Sequence, residues 1–372
     1  MNLYQLFVRP VLFQLPPEAA HQLTVGFCRL AGSLAPVRAI ARRRLEFRSP
    51  QIQTNVAGLR FDNPIGLAAG WDKSGLAIRM LDSLGFGFAE IGSISASPSQ
   101  GNPKPRLFRA PLDQAIVVNY GLPNRGAQFV AGRLASHSPR TPLGVNLVKT
   151  NRGPGAPADS AEDILDDYFQ SASLVHRHAS YLALNLSCPN VAGGGDFFTV
   201  PGNVRRVLER LQPLGLACPV FLKVAPSSEP ADLERLIAEA EPFGFVRGFM
   251  FNLPVGKPAS LTLRTPRDRL AAMPGAVAGK PVEQLINGCI RELFRRMPRP
   301  RFDIIGAGGV FTAEQAYDKI RCGASLVQIY TSLIYEGPGV VRRINQGLCR
   351  LLERDGFKNI ADAVGSGACG NS

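Results

Sequence analysis

Asn185, Leu186, Ser187, Cys188, Pro189 and Asn190 put two side-chain amides and a thiol at one point of the chain. An amide offers a donor and an acceptor together, which suits a planar heterocycle carrying carbonyl and N–H groups. A thiolate can accept a proton, so Cys188 is a candidate general base. The same hexapeptide also reads as a structural turn with an inert buried cysteine, since free Cys is often plain core. Either way it sits at a strand end. Tyr181 to Leu186 is apolar enough to be covered on both faces, and Pro189 cannot donate to a sheet ladder.

The elements around it repeat one pattern. Short apolar runs expected as strands fall at Ile65 to Ala69, Phe88 to Ile91, Leu143 to Val148, Tyr181 to Leu186, Val220 to Val224, Gly248 to Asn252, Asp303 to Gly306 and Leu326 to Tyr330. Helical spacing lies between them, at Ser74 to Leu84, Ala161 to His176, Val204 to Leu211, Pro230 to Glu241, Val282 to Arg296 and Thr312 to Arg321. Eight such units joined by right-handed crossovers close into a (β/α)8 barrel of the TIM type. An open doubly wound sheet is the alternative, because alternation alone does not show closure.

Barrel enzymes build their sites where strands end. Read in order, those ends carry Lys73, Ser93, Asn146 with Lys149, the 185–190 segment, Lys223, Asn252, Gly308 with Gly309, and Tyr330 with Thr331. Gly308 and Gly309, leading into the helix at Thr312, resemble a phosphate cradle, though a Gly pair is often only a turn. Two lysines facing one cavity complement an anionic or electron-rich cofactor. None of the four histidines falls at an expected strand end, which makes a hydrolase triad or a histidine metal site a poor fit, and no metal is expected. A phosphate-bearing cofactor, amide-rich recognition and one proton acceptor are the parts of flavin redox chemistry.

Composition narrows the classes further. With 45% hydrophobic and 19% charged residues the chain is a core-rich folded protein. Its seven cysteines form no CxxC pair, which disfavours a zinc site or a disulfide framework and points to a reducing compartment. The net charge of +13 asks for an acidic partner. Aromatic and basic residues do not interleave as a nucleic-acid platform requires, so no nucleic-acid partner is expected. Arg38, Arg42, Arg43, Arg44 and Arg48 instead follow an apolar N-terminal segment, a pairing suited to an anionic membrane surface. No stretch there is long enough to span a bilayer, and Arg9 breaks any signal-peptide core. Two short amphipathic helices within residues 1–31 are expected, lying on a membrane or capping an apolar tunnel, in a unit of residues 1–45; packing on the main domain is the plainer alternative. Residues 46–372 are then the barrel.

Several blocks taken together resemble the dihydroorotate dehydrogenases of the quinone-linked, membrane-associated class 2. They are GLAAGWDKSG (66 to 75), EIGS (90 to 93), GNPKPRLFR (101 to 109), NLSCPN (185 to 190), FLKVAP (221 to 226), IIGAGGV (304 to 310) and GASLVQIYTSLIYEGP (323 to 338). The similarity runs from FVRPVLFQLPPEAAH (7 to 21) to DGFKNIADAVG (355 to 365). The resemblance implies an FMN-binding α/β barrel with an N-terminal helical pair at the quinone entrance. It assigns FMN to Ala69, Gly70, Lys73, Ser93, Asn146, Lys223, Gly279, Gly308, Gly309, Tyr330 and Thr331. It assigns the dihydropyrimidine to Lys73, Asn119, Asn185, Asn190 and Asn252, and quinone to His21, Arg109 and Tyr330. A base removes the C5 proton of dihydroorotate while hydride leaves C6 for the flavin, and quinone takes the electrons. Pyrimidine biosynthesis at the cytoplasmic face of a membrane is the implied setting.

The chain departs from that pattern at defined places. Cys188 stands where class 2 enzymes carry Ser, and Cys is the base of class 1; a thiol is the stronger base, so the swap is workable. VNYGLPNRG (118 to 126) is one residue short between Asn119 and Gly121 and leans toward class 1. Leu253 replaces a hydroxyl residue after Asn252, and Val191 to Asp196 replace the family's lid sequence TPGLR. A different dihydropyrimidine or cyclic substrate is therefore the second reading, and a flavin-binding relative without turnover the third.

Overall fold

A computed structural model of the chain describes residues 2–187 and 196–368. Eight parallel strands close into a barrel in chain order: β1 (Ile65–Leu67), β2 (Phe88–Ile94), β3 (Leu143–Leu147), β4 (Tyr181–Asn185), β5 (Val220–Val224), β6 (Val246–Phe251), β7 (Asp303–Gly306) and β8 (Leu326–Ile329). β8 pairs with β1 through Val327 opposite Ile65, which seals the ring and removes the open-sheet alternative. Every residue of β2, β3 and β4 is buried, as expected of strands covered by side chains inside and helices outside.

Aromatic packing fills the lower end of the barrel. Phe88, Tyr181 and Phe221 stack edge-on at centroid separations of 5.5 to 6.3 Å, and Phe61 joins them from a hairpin (Thr54–Val56 with Leu59–Phe61) that closes the floor. Gly144 on β3 makes room for this. A Cβ there would lie 2.1 Å from the Tyr181 ring. Ligands are thus left the upper end, where the strands' carboxyl termini and the longer loops meet.

The expected helices at Ala161–Val175, Asn203–Leu211, Pro230–Ala240, Glu283–Arg296 and Ala313–Arg321 form nearly as read. The expectation of a helix over Ser74 to Leu84 is corrected, for only Ile78–Leu81 is helical. Buried Asp72 explains the delay, because its carboxylate accepts from the N–H groups of Leu76 (2.8 Å) and Ala77 (2.7 Å) and holds the segment as a turn. An antiparallel sheet of Leu107–Ala110, Ala115–Val118 and Ala276–Gly279 stands outside the barrel sequence and was not anticipated.

Two α-helices form in the N-terminal segment as expected, α1 (Arg9–Gln14) and α2 (Pro17–Ser33), and a third, α3 (Ala35–Leu45), follows them. Val25, Cys28 and Ala31 on one face of α2 join the main core. Gly32 brings α2 so near the Ile78–Leu81 helix that a Cβ would sit 3.0 Å from the Met80 nitrogen. The opposite face leaves Leu23, Phe27 and Leu30 at 58%, 65% and 70% exposure. No single helix among the described residues is long and apolar enough to cross a membrane.

Candidate active site

A cavity of about 1200 Å³, its open mouth included, occupies the upper end of the barrel. Of the residues singled out from the sequence, Ala69, Gly70, Lys73, Ser93, Asn185, Lys223, Asn252, Gly279, Gly308, Tyr330 and Thr331 line it. Cys188 and Asn190 lie outside the described residues, as do Val191 to Gly195.

One wall is a chain of amides. Asn252 Nδ2 donates to Asn185 Oδ1 at 2.8 Å and to the Ser187 carbonyl at 3.1 Å, while Asn185 Nδ2 donates to Ser93 Oγ at 3.2 Å. Ser93 Oγ in turn donates to Asn146 Oδ1. Tyr168 OH fixes the backbone from below, donating to the Asn185 carbonyl at 2.6 Å. Each amide is thereby held in one orientation, which is what directional recognition of a heterocycle requires. Asn146 itself is fully buried behind Ser93 and does not line the cavity.

The opposite end combines tight backbone with unpaired polar atoms. Gly279 adopts φ +114, and a Cβ there would lie 2.5 Å from the Gln114 carbonyl oxygen. Gly308 and Thr331 adjoin it, and the neighbouring Ser332 hydroxyl is buried with no partner among the described residues. Gln328 Oε1 and Tyr120 OH are orphaned in the same way on the cavity wall. Between these polar groups the lining is apolar, through Ile116, Val118, Phe251, Leu253 and Ile329. Apolar walls, convergent polar edges and glycine backbone at one end fit a flat, phosphate-bearing cofactor with a substrate beside it.

The family model for dihydroorotate dehydrogenase matches residues 51–352. The chain belongs to this family. A relative described as dihydroorotate dehydrogenase (quinone) from Sphingopyxis alaskensis is 39% identical over 366 residues, 97% of this chain and 96% of its own. The one from Mycobacterium tuberculosis is 39% identical over 360 residues, 96% and 97% of the two chains. Among solved structures, the Eimeria tenella enzyme with ferulenol superposes with a TM-score of 0.80 at 29% identity, covering 96% of this chain and 98% of that one. Its ligand-free form gives 0.81 at 30% identity, with 94% and 99% covered.

The 118–126 segment places its side chains differently from the sequence expectation. Asn119, selected as a substrate ligand, does not line the cavity. Its carboxamide oxygen instead accepts from Asn102 Nδ2 at 3.1 Å, and Tyr120, Gly121, Leu122 and Pro123 take the wall. Tyr120 lays its ring against the Lys73 ammonium, 4.0 Å from the centroid. Lys73 Nζ also lies 3.1 Å from His21 Nε2. Desolvation, with Arg106 adding and Glu18 opposing, brings Lys73 down to about 7. Desolvation and then the Lys73 charge hold His21 well below the ordinary imidazole value, against a hydrogen bond to the Trp71 backbone. His21 is therefore neutral near pH 7, and its Nε2 can accept from Lys73.

His21 lines a second cleft between α2 and the 71–76 segment, which shares Lys73, Tyr120 and Pro123 with the main cavity. Arg109, grouped with His21 and Tyr330 from the sequence, is placed differently. Its guanidinium donates to the carbonyls of Leu12, Phe13 and Leu15 and covers the Phe13 ring at 4.5 Å, bracing the α1–α2 turn. Three residues of this region escaped the sequence reading. Glu90, Gln328 and Arg106 sit inside quoted blocks, yet only their strand neighbours were given roles. For Glu90 and Gln328, an acid or amide within an otherwise apolar strand was the available signal.

Proposed function

We propose that this chain oxidises dihydroorotate to orotate with FMN in the barrel cavity and passes the electrons to a quinone. The single observation that carries the proposal is the oriented amide chain Asn252–Asn185–Ser93, joined through the Ser187 carbonyl to the segment bearing Cys188. FMN, when bound, takes the hydride from C6 of dihydroorotate and returns electrons to quinone. The chain's own residues do the rest. Lys223, Ser93, Gly279, Gly308, Tyr330 and Thr331 hold the cofactor, with Asn146 supporting Ser93 from behind. Asn185 and Asn252 orient the substrate ring, and the Lys73 ammonium offers charge to its carboxylate. Cys188 is the base that takes the C5 proton; as a thiol it needs less help than a serine hydroxyl to do so.

The N-terminal helices serve as the quinone's approach and as a membrane-surface anchor in this reading. Eleven of the fourteen exposed large hydrophobic residues among the described residues fall between Leu3 and Ile40. Arg43 and Arg44 are exposed in the last turn of α3 beside them. Exposed apolar faces next to arginines match an anionic leaflet, and that match supports the reading of a peripheral protein on the cytoplasmic face of a membrane.

A specific observation supports a second reading. Asn119 is turned away to Asn102, and apolar Leu253 lines the cavity. A related dihydropyrimidine with fewer polar groups at that edge would lose less there. Anaerobic addition of dihydroorotate to the yellow protein separates the two. Bleaching in the parent, lost in Cys188→Ala and kept at least in part in Cys188→Ser, supports the first reading. A flavin that bleaches only with another dihydropyrimidine supports the second.

A further inference from the structure

Between the aromatic floor and the cavity lies a carboxylate that no step above uses. Glu90 of β2 is fully buried, and side chains from four other strands converge on it. Asn146 Nδ2 of β3 donates to Oε1 at 2.9 Å; Tyr181 OH of β4 and Gln328 Nε2 of β8 donate to Oε2 at 3.1 and 2.8 Å. The Lys223 ammonium of β5 stands 3.8 Å from Oε1. That separation is too long for a hydrogen bond, so the two charges act on each other while the ammonium's donors stay available to a ligand.

A buried ion pair adds little to stability compared with apolar packing, so stability alone does not account for a charge at the barrel's centre. What its partners touch is more informative. Lys223 and Gln328 line the cavity, and Asn146 reaches it through Ser93. Glu90 touches no part of the cavity directly. We infer that Glu90 is a positioning residue that aligns Lys223, Asn146 and Gln328 beneath the cofactor and, by opposing the Lys223 charge, holds down the flavin's reduction potential.

The inference rests on the FMN reading of the cavity. Reduction adds negative charge to a flavin, and a lysine on the cavity wall favours it. A fixed carboxylate behind that lysine offsets part of the effect, the more so where water is excluded. Glu90→Gln keeps the shape and removes the charge, leaving Lys223 unopposed.

Anaerobic redox titration of the purified flavoprotein against reference dyes tests this. Glu90→Gln is expected to raise the midpoint by on the order of 30 mV, a tenfold shift in the reduced-to-oxidised ratio of a two-electron couple. Glu90→Asp, which restores the charge, should bring it back toward the parent. If Glu90→Gln does not fold, Tyr181→Phe removes one neutral donor from the same carboxylate; its charge then weighs more on Lys223, and the midpoint should fall. An unchanged midpoint in a flavin-bearing Glu90→Gln or Tyr181→Phe protein, or a downward shift in Glu90→Gln, overturns the inference. A parent protein that binds no FMN overturns the cofactor reading instead.

Discussion

Lys73 Nζ and His21 Nε2 lie 3.1 Å apart at the seam between the barrel cavity and the α2 cleft. One comes from the β1 end, the other from a helix 52 residues earlier. Their closeness means that one of the two must be neutral, and burial decides that it is the imidazole.

Lys73 gives the stability of the protein a pH dependence with a definite sign. Unfolded, it holds its proton until about 10.5; folded, burial first of all brings it down to about 7. Between those values the unfolded state binds more protons, so stability rises with pH, and below pH 7 the full cost of burying the charge is present. Lys73→Met should therefore stabilise the protein by several kcal/mol, on the order of 1.4 kcal/mol per pH unit of the shift, at about pH 6 and by much less near pH 10. Urea unfolding of parent and variant at both ends checks this. A difference that does not vary with pH would show that Lys73 titrates normally.

The sequence made the barrel legible because strand-like apolar runs recur eight times, seven of them ending on polar side chains and one on a Gly pair, and an apolar run such as 181–186 has few other uses. Lys73, Asn185, Lys223 and Asn252 all reached one cavity for the same reason. Asn119 did not, since its carboxamide oxygen is taken by Asn102, a contact between residues 17 apart that strand-end spacing does not reveal. Glu90 was hidden in plain view. Its role depends on Asn146, Tyr181, Lys223 and Gln328, which come together only when five strands close into a ring.

Arg106 ties α2 to the barrel. Its guanidinium donates to Glu18 from Nε and Nη2, at 3.1 and 2.8 Å to Oε1, and from Nη1 to the Gln100 and Asn102 carbonyls at 2.6 and 3.0 Å. The pair is largely buried, so Arg106→Met leaves the Glu18 charge without a partner and should cost about 3 to 5 kcal/mol. The double variant with Glu18→Leu should recover much of that. A double-mutant cycle by urea unfolding reads both, and additivity would mean the ion pair contributes nothing.

Asn252 is the pivot of the amide wall. Replacing it with Leu removes the donors to buried Asn185 Oδ1 and to the Ser187 carbonyl at once. A loss of about 1 to 3 kcal/mol follows, or roughly a 5- to 150-fold rise in the KM for dihydroorotate. Leu253→Thr, adding a hydroxyl to the same wall, should lower that KM in an enzyme whose substrate is dihydroorotate. Steady-state rates with a soluble quinone measure both. A Leu253→Thr variant that loses affinity would favour the alternative substrate.

The membrane reading makes a prediction that separates its apolar part from its electrostatic part. Leu23, Phe27 and Leu30 follow one another at three- and four-residue spacing on the exposed face of α2, at 58%, 65% and 70% exposure. Burying a side chain of this kind in lipid is worth about 1.5 to 3 kcal/mol, so Phe27→Glu with Leu30→Glu should weaken vesicle binding by roughly a hundredfold or more. Arg43 and Arg44 contribute only with an anionic surface, at about 1 kcal/mol each, and their effect fades with salt. Arg43→Ser with Arg44→Ser should then reduce sedimentation with phosphatidylserine vesicles by about tenfold or more and leave neutral phosphatidylcholine binding unchanged. Flavin absorbance, expected to be retained in both variants, verifies that the barrel is intact. Equal loss on both vesicle types would assign the arginines to folding, and no loss from the α2 pair would remove that face from membrane contact.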